Sequence, residues 1–92
     1  MKKIVYLVCE EIRSKRCDDE NNIIFATLNK EKAEEKANER ARELAGGFEI
    51  DLNDIDTDQW EVVSNEYANV EIYDSNYDEG YACWVREIEL ED

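Results

Sequence analysis

The chain of 92 residues contains no proline, no histidine and only three glycines. The missing histidine removes the commonest general base and the usual activator of serine and cysteine nucleophiles, which argues against an enzyme. The sequence contains no glycine-rich phosphate-binding motif, so it does not indicate a nucleotide cofactor. No apolar run approaches the ~20 residues of a membrane-spanning helix, and the first residues lack a signal-peptide layout. We therefore expect a non-catalytic, cytoplasmic protein without cofactors.

Basic residues are scarce in the second half of the chain. Residues 1–42 carry ten basic and nine acidic residues, whereas residues 43–92 carry sixteen acidic residues and only one basic residue, Arg86. The net charge of −14 excludes direct nucleic-acid binding and anionic membranes, because both need clustered Lys and Arg. Charge concentrated in this way destabilises the fold by self-repulsion, which favours a functional reason for it. An acidic face that serves only solubility is the alternative.

The sequence predicts no dedicated metal site. Cys9, Cys17 and Cys83 form no C-x-x-C pair, and no histidine completes a zinc site. We expect Cys9 and Cys83, which lie in apolar strand patterns, to be buried, and Cys17 to be exposed. Residues 74–80 place oxygen ligands at alternating positions as calcium loops do, but the glycine comes late and Val85 stands where a bidentate Glu belongs.

The first half of the chain predicts a hairpin. Residues 4–9 form a continuous apolar, β-branched run, which is typical of a central strand covered on both faces. Residues 13–21 are polar without periodicity and predict a loop, and residues 23–26 predict the second strand. If both faces of the first strand are covered, either a second copy of the chain or the acidic middle segment must lie on its second face.

A long helix is predicted over residues 30–45. Asn29 is a suitable N-cap, and Gly46 and Gly47 give a C-cap signal. Small apolar residues fall on one arc of this helix, which predicts close packing against a sheet. They are Ala33, Ala37, Ala41, Leu44 and Ala45.

The second half predicts two further strands, residues 70–73 and 81–91, around a turn at residues 74–80. The helical spacing of apolar residues over 59–67 favours a short second helix, with a strand over 60–63 as the rival. The expected fold is a single α+β domain that spans the whole chain in the order β-β-α-(α)-β-β. An antiparallel sheet of three to four strands would carry the long helix, and the short one, on one face.

The last predicted strand carries a row of carboxylates. Glu87, Glu89 and Glu91 alternate with apolar residues, which places them on one face about 6.6 Å apart. Duplex DNA carries one charge per about 3.4 Å of axis on each strand, so such a row can imitate phosphates. The solvated face of an edge strand is the simpler interpretation. The opposite face of this strand would bury Arg86 unless a β-bulge intervenes.

The chain resembles small proteins of phages and Firmicutes. The resemblance lies in its lack of proline, its strong acidity, its element order and the segments 2–8, 25–35 and 84–90. In architecture and composition it is similar to the proteins that phages and mobile elements use against bacterial defence. These include anti-CRISPR proteins and DNA mimics that inhibit restriction or repair enzymes. The resemblance implies an inhibitor that acts in the cytoplasm of the host cell.

We hypothesise a non-catalytic acidic inhibitor that binds a basic protein, in the nucleic-acid-binding groove of a bacterial defence or nucleic-acid enzyme. The expected contact residues are Asp51, Asp54, Asp56, Asp58, Asp74, Asp78, Glu79, Glu87 and Glu89. Two alternatives stay open. One is a small cytosolic protein–protein interaction module, homodimeric through the apolar faces of its sheet. The other is an immunity-type protein that neutralises a basic nuclease.

Overall fold

The computed structural model describes residues 2–14 and 17–91 of the chain. They form, in chain order, β1 (Lys2–Ser14), β2 (Cys17–Thr27), α1 (Lys30–Gly47), β3 (Trp60–Glu66), β4 (Asn69–Asp74) and β5 (Gly80–Glu91). The strands form one antiparallel sheet in the order β2-β1-β5-β4-β3. The predicted α+β class and antiparallel sheet are confirmed, whereas the sheet has five strands instead of three to four.

The two longest strands, β1 and β5, lie in the middle of the sheet and pair from Lys2 opposite Glu91 to Arg13 opposite Gly80. β2 pairs with β1 only as far as Tyr6, and β4 pairs with β5 only as far as Cys83. In the part of the chain that the structure describes, residues 2–5 and 88–91 therefore pair only with each other. They project from the sheet as a two-stranded ribbon, which we call the arm.

The β1–β2 hairpin lies at the opposite end of the sheet and is longer than predicted. We call this the turn end, because the β4–β5 turn is there too, with Arg13 opposite Gly80. The loop predicted over residues 13–21 is wrong, since β1 continues to Ser14, which pairs with Cys17 of β2. Polar side chains hide the two-residue periodicity here, but the backbone hydrogen bonds of the ladder do not depend on them.

The short second helix predicted over residues 59–67 is also wrong, and the rival strand is correct. This segment is β3, which pairs with β4 so that Trp60 lies opposite Asp74. A register shift between Val62 and Ser64 interrupts the alternation of side chains along β3. The apolar residues of the strand consequently imitate the spacing of a helix.

Helix α1 follows the predicted signals at its start and departs from them at its end. The Asn29 side chain accepts a hydrogen bond from the Lys32 amide at 3.2 Å, which confirms the N-cap. The helix continues through both glycines to Gly47, and the left-handed residue after it is Glu49, with φ 58°. The predicted apolar arc is buried, namely Ala33, Ala37, Ala41, Leu44 and Ala45. Within the described ranges, no helix is long and apolar enough to cross a membrane.

The core lies between α1 and one face of the sheet. The Tyr81 hydroxyl donates a hydrogen bond to the Ala41 carbonyl of the helix at 2.9 Å, and the Cys83 thiol donates to another helix carbonyl at 3.4 Å. The acidic middle segment, residues 48–59 between α1 and β3, folds back onto this same side. Here Ile50 is buried and the Phe48 ring stacks on Tyr81 with a centroid distance of 5.9 Å. The middle segment therefore does not cover the second face of β1.

Candidate interaction surfaces

Side-chain alternation along β5 sorts its charges between the two faces of the sheet. Tyr81 points to α1, so the odd-numbered residues of β5 lie on this helix face and the even-numbered residues on the opposite, open face. β5 pairs with β1 without a register shift, and the alternation therefore holds to the end of the strand. The carboxylates of Glu87, Glu89 and Glu91 share the helix face, whereas Arg86 projects from the open face.

The row of glutamates begins beside the helix and continues along the arm. Glu87 is exposed and lines a groove of about 370 Å³ with Lys30 and Glu34 from the first turns of α1. Glu89 is exposed on the arm, opposite Ile4 of β1. The predicted row thus exists as a solvent-facing edge of carboxylates that extends beyond the body of the sheet.

Most of the other predicted contact residues gather at the turn end. The Asp56 carbonyl accepts a hydrogen bond from the Trp60 amide at 2.9 Å, and Trp60 pairs with Asp74. The Asp74 carboxylate in turn accepts a hydrogen bond from the Asp78 amide at 2.9 Å. These contacts bring together a group that we call the acidic end, which consists of Asp56, Asp58, Asp74, Asp78 and Glu79.

Asp51 and Asp54 lie earlier in the middle segment, where the Asp54 amide donates to the Asp51 carbonyl at 3.0 Å. Asp51 lines a shallow hollow with Arg42 of the helix. Along β5, Glu87 is about 24 Å from Gly80 at the turn end. The structure therefore places seven of the nine predicted contact residues at two ends of the molecule, with Asp51 and Asp54 in the middle segment, and does not unite them in one patch.

Part of the acidic content has a structural explanation. The carboxylates of Asp51, Asp56 and Asp74 each accept a hydrogen bond from a backbone amide two to four residues later, at 2.9 or 3.0 Å. Such side-chain turns shape loops in place of regular structure. Asp58 and Asp78 are exposed, and only their backbone amides take part in these turns. These two carboxylates can therefore be changed without removing a loop hydrogen bond.

The open face places Arg86 in a setting that the sequence did not predict. Burial of Arg86 or a bulge was expected, but β5 runs beside β1 without a register shift and Arg86 is exposed. The reason is that α1 and the middle segment both pack on the helix face. Among the residues described, none packs over the other face in the half that leads to the arm. Its apolar side chains are Val5, Leu7, Cys9, Trp84, Ile88 and Leu90.

This half of the open face differs in charge from the rest of the chain. Of its described side chains on β1 and β5, Lys3 and Arg86 are basic and none is acidic. Arg86 forms no ion pair with any described carboxylate, although the chain has 25 acidic residues. On the edge strand β2, Ile23 adds an apolar side chain that is 64% exposed. The surface is therefore apolar and weakly basic.

Towards the turn end, the open face is covered by its own side chains. Tyr73 is only 2% exposed, because the Arg13 guanidinium lies over its ring at 4.6 Å and the Tyr77 ring lies 5.5 Å away. Arg13 also donates to the Tyr77 carbonyl at 3.2 Å, and the Tyr77 hydroxyl donates to Glu61. Burial raises the pKa of the Tyr73 phenol above its usual value. This cluster is an ordered aromatic surface rimmed by carboxylates.

One buried charge was not found by sequence reasoning. Glu10 is 3% exposed on the helix face, where its carboxylate accepts hydrogen bonds from Arg40 at 2.7 and 3.4 Å and from Asn22 at 3.5 Å. The hydrogen bond to Glu10 raises the pKa of Arg40. The available signal was the position of Glu10 between Val8 and Ile12 on the core-facing side of β1. Glu10 and Arg40 tie the helix to the sheet.

Neither described thiol is reactive, and the described side chains form no metal cluster. Cys9 and Cys83 are buried as predicted, whereas the side chain of Cys17 lies outside the described residues. Burial raises the pKa of Cys83 to about 12 and also raises that of Cys9, so both thiols stay protonated at neutral pH. Within residues 2–14 and 17–91, no group of three or more Cys, Asp or Glu side chains is placed to hold a metal ion.

No protein-family model, no curated protein and no solved structure matches the chain.

Proposed function

We propose that the protein is a non-catalytic inhibitor that binds the basic, nucleic-acid-binding groove of a partner protein, as anti-CRISPR proteins and DNA mimics do. The observation that supports this proposal is the glutamate row on the arm. Glu87 and Glu89 are exposed, they share the helix face with Glu91, and the only basic residue of the same strand, Arg86, projects from the other face. The row consequently places carboxylates at every second position along one face of β5, on a narrow, projecting ribbon.

The spacing of the row suits a phosphate-binding groove. Alternate residues of a strand repeat at about 6.6 Å, which is close to the axial distance of about 6.8 Å between every second phosphate of a DNA strand. Glu87 and Glu89 would pair with Lys and Arg side chains that otherwise hold phosphates, and thus exclude the nucleic acid by competition. The net charge of −14 would steer the chain to a basic groove and make binding sensitive to salt.

The acidic end provides a second contact on the same long axis. It lies about 24 Å from Glu87 along β5, which corresponds to the rise of about seven base pairs of duplex DNA. A groove that holds a short duplex is therefore long enough to contact both groups. Asp58 and Asp78 are the exposed members of the acidic end that we expect to contribute most.

The experiment is a pull-down of tagged protein from bacterial lysate with four baits of the same length. They are the wild type, E87K/E89K in the row, D58K/D78K at the acidic end, and the control E35K/E39K on exposed positions of α1. Each double variant changes the net charge by the same amount, so a difference between them reports position and not total charge. Circular dichroism and thermal melting establish that each bait is folded.

We expect the wild type and the helix control to retain one nucleic-acid enzyme at low salt, and to release it at high salt or when duplex DNA is added. The row variant should lose this partner, and the acidic-end variant should bind it more weakly. Equal capture by all four baits, or a partner that neither salt nor DNA releases, would contradict the proposal. Recovery of a toxin-type nuclease would indicate the immunity-type alternative on the same surface.

A further inference from the structure

The open face contains a slot for a cation, and it also carries Arg86, which forms no ion pair with any described carboxylate. Glu11, Ala82 and Glu71 lie in register across β1, β5 and β4, and their side chains share the open face. The two glutamates are two strand spacings apart, about 9.6 Å. Ala82 lies between them at 4% exposure and is part of a hollow of about 200 Å³ with Trp84 as a wall.

Both glutamates of the slot retain free acceptor capacity. Glu11 accepts a hydrogen bond from Arg13 at 3.0 Å, and Glu71 accepts one from the Tyr73 hydroxyl at 2.9 Å. A carboxylate accepts about four hydrogen bonds through its two oxygens, so each can accept a guanidinium from above the sheet as well. Arg86 of the same molecule stands on the same face but four residues farther along β5 than Ala82, about 13 Å away.

We propose that the open face is the interface of a symmetric homodimer, in which Arg86 of each copy enters the Glu11–Ala82–Glu71 slot of the other. Along β5, Arg86 and Ala82 lie two residues from Trp84 in opposite directions. Consider two copies whose open faces lie against each other, related by a two-fold axis that passes between the sheets at Trp84 and runs perpendicular to the strands. This axis places Arg86 of each copy opposite the slot of the other copy. This arrangement concerns the face opposite the glutamate row and stands independently of the inhibitor function.

The same two-fold arrangement also brings the arm half of each open face opposite the turn-end half of the other copy. Two residues beyond Arg86, Val5 and Ile88 would lie over Arg13 and Gly80 of the other copy, beside the aromatic surface that Tyr73 and Tyr77 form at its turn end. At the end of the arm, Lys3 would reach the acidic β4–β5 turn of the other copy. The weakly basic, apolar half of each face thus meets the aromatic half with its rim of carboxylates, as a self-complementary interface requires.

The dimensions of the molecule also agree with this interface. The molecule measures 49 × 28 × 18 Å, and its open face spans the two longer dimensions. A stable interface needs about 800 Å² from each partner, which is less than the area of this face. Both helix faces, with their glutamate rows, would point outwards, so the acidic residues of the two copies do not oppose each other.

Sedimentation velocity of the full chain over a micromolar concentration series tests this interface. We expect the wild type to be a dimer, and R86E and E71R each to weaken dimerisation at least tenfold. A82L, which fills the hollow without changing charge, should do the same. E87R, on the helix face of the same strand, is the control and should leave the dimer intact. Thermal melting of each variant establishes that it is folded.

Mixing R86E with E71R provides the decisive arm of the experiment. A heterodimer of these two chains has one wild-type site and one site in which the exchanged charges at positions 86 and 71 face each other beside Glu11, so the mixture should dimerise at concentrations at which neither chain does so alone. A monomeric wild type would overturn the proposal. So would a dimer that R86E and A82L do not weaken, or a mixture of R86E and E71R that stays monomeric.

Discussion

Replacing Arg40 by alanine tests how the helix is held on the sheet. The variant leaves the Glu10 carboxylate, which is 3% exposed, with only the long hydrogen bond of 3.5 Å from Asn22. Removal of one partner of a buried ion pair costs about 3–5 kcal/mol. We expect the lower value, about 3 kcal/mol, because the Arg40 side chain is 32% exposed and its removal admits water to the carboxylate. A loss of this size lowers the melting temperature of a domain of this length by about 12–24 °C.

Changing the other partner, E10Q, should cost less, about 1 kcal/mol, because the amide oxygen of glutamine still accepts a hydrogen bond from the charged Arg40 guanidinium and only the charge of the acceptor is lost. Arg40 then still has Glu43, whose carboxylate it contacts at 3.1 Å, and it can turn towards water. Urea denaturation of R40A, E10Q and the double variant gives the three free energies of unfolding and their coupling. The reasoning would be refuted if E10Q destabilised the protein as much as R40A, or if the two effects were additive.

Three further predictions concern stability. G80A should lower the free energy of unfolding by about 3 kcal/mol in urea denaturation, because φ at Gly80 is 144° and a Cβ would lie 2.2 Å from the Ile72 carbonyl oxygen. Its control is G46A, in helix α1 with no atom within 4 Å of the added Cβ, which should stabilise by about 0.5–1 kcal/mol; a loss there would contradict the account. N29A should cost about 1 kcal/mol through loss of the N-cap, and an unchanged melting temperature would count against it. Burial raises the pKa of Cys83 from 9.0 to about 12, so its stabilising effect is complete below pH 9 and is lost as the pH rises from 9 towards 12. In C83A the decline of stability over this range should be shallower than in the wild type, and equal pH profiles would exclude the thiol as its cause.

The sequence predicted the elements that local signals determine. The N-cap at Asn29 and the alanine arc of α1 are properties of consecutive residues, and both are confirmed. β3 was predicted as a helix because the register shift between Val62 and Ser64 disturbs its alternation. Only the pairing with β4 decides its structure. The length of the β1–β2 hairpin was underestimated for a related reason, since polar strands at the turn end carry no pattern of their own.

The surfaces could be predicted in part. Alternation along β5 separates the glutamate row from Arg86, and that separation could be predicted from the sequence. The path of the chain after β2 decides which face of the sheet the helix covers. The exposure of Arg86 could therefore not be predicted from the sequence. Glu10 and Glu11 are adjacent and of the same residue type, yet one is buried against the helix and the other is half-buried on the open face. Their different positions follow from the register of β1 with β5.

The exclusion of nucleic acid by the glutamate row is tested most directly by fluorescence anisotropy of labelled duplex DNA bound to the recovered partner. Wild-type protein and the helix control E35K/E39K should lower the anisotropy to that of free DNA, whereas E87K/E89K should leave the DNA bound at the same concentrations. If saturating wild type leaves the DNA bound, or if E87K/E89K displaces it as well as the wild type does, the row of carboxylates does not occupy the nucleic-acid groove.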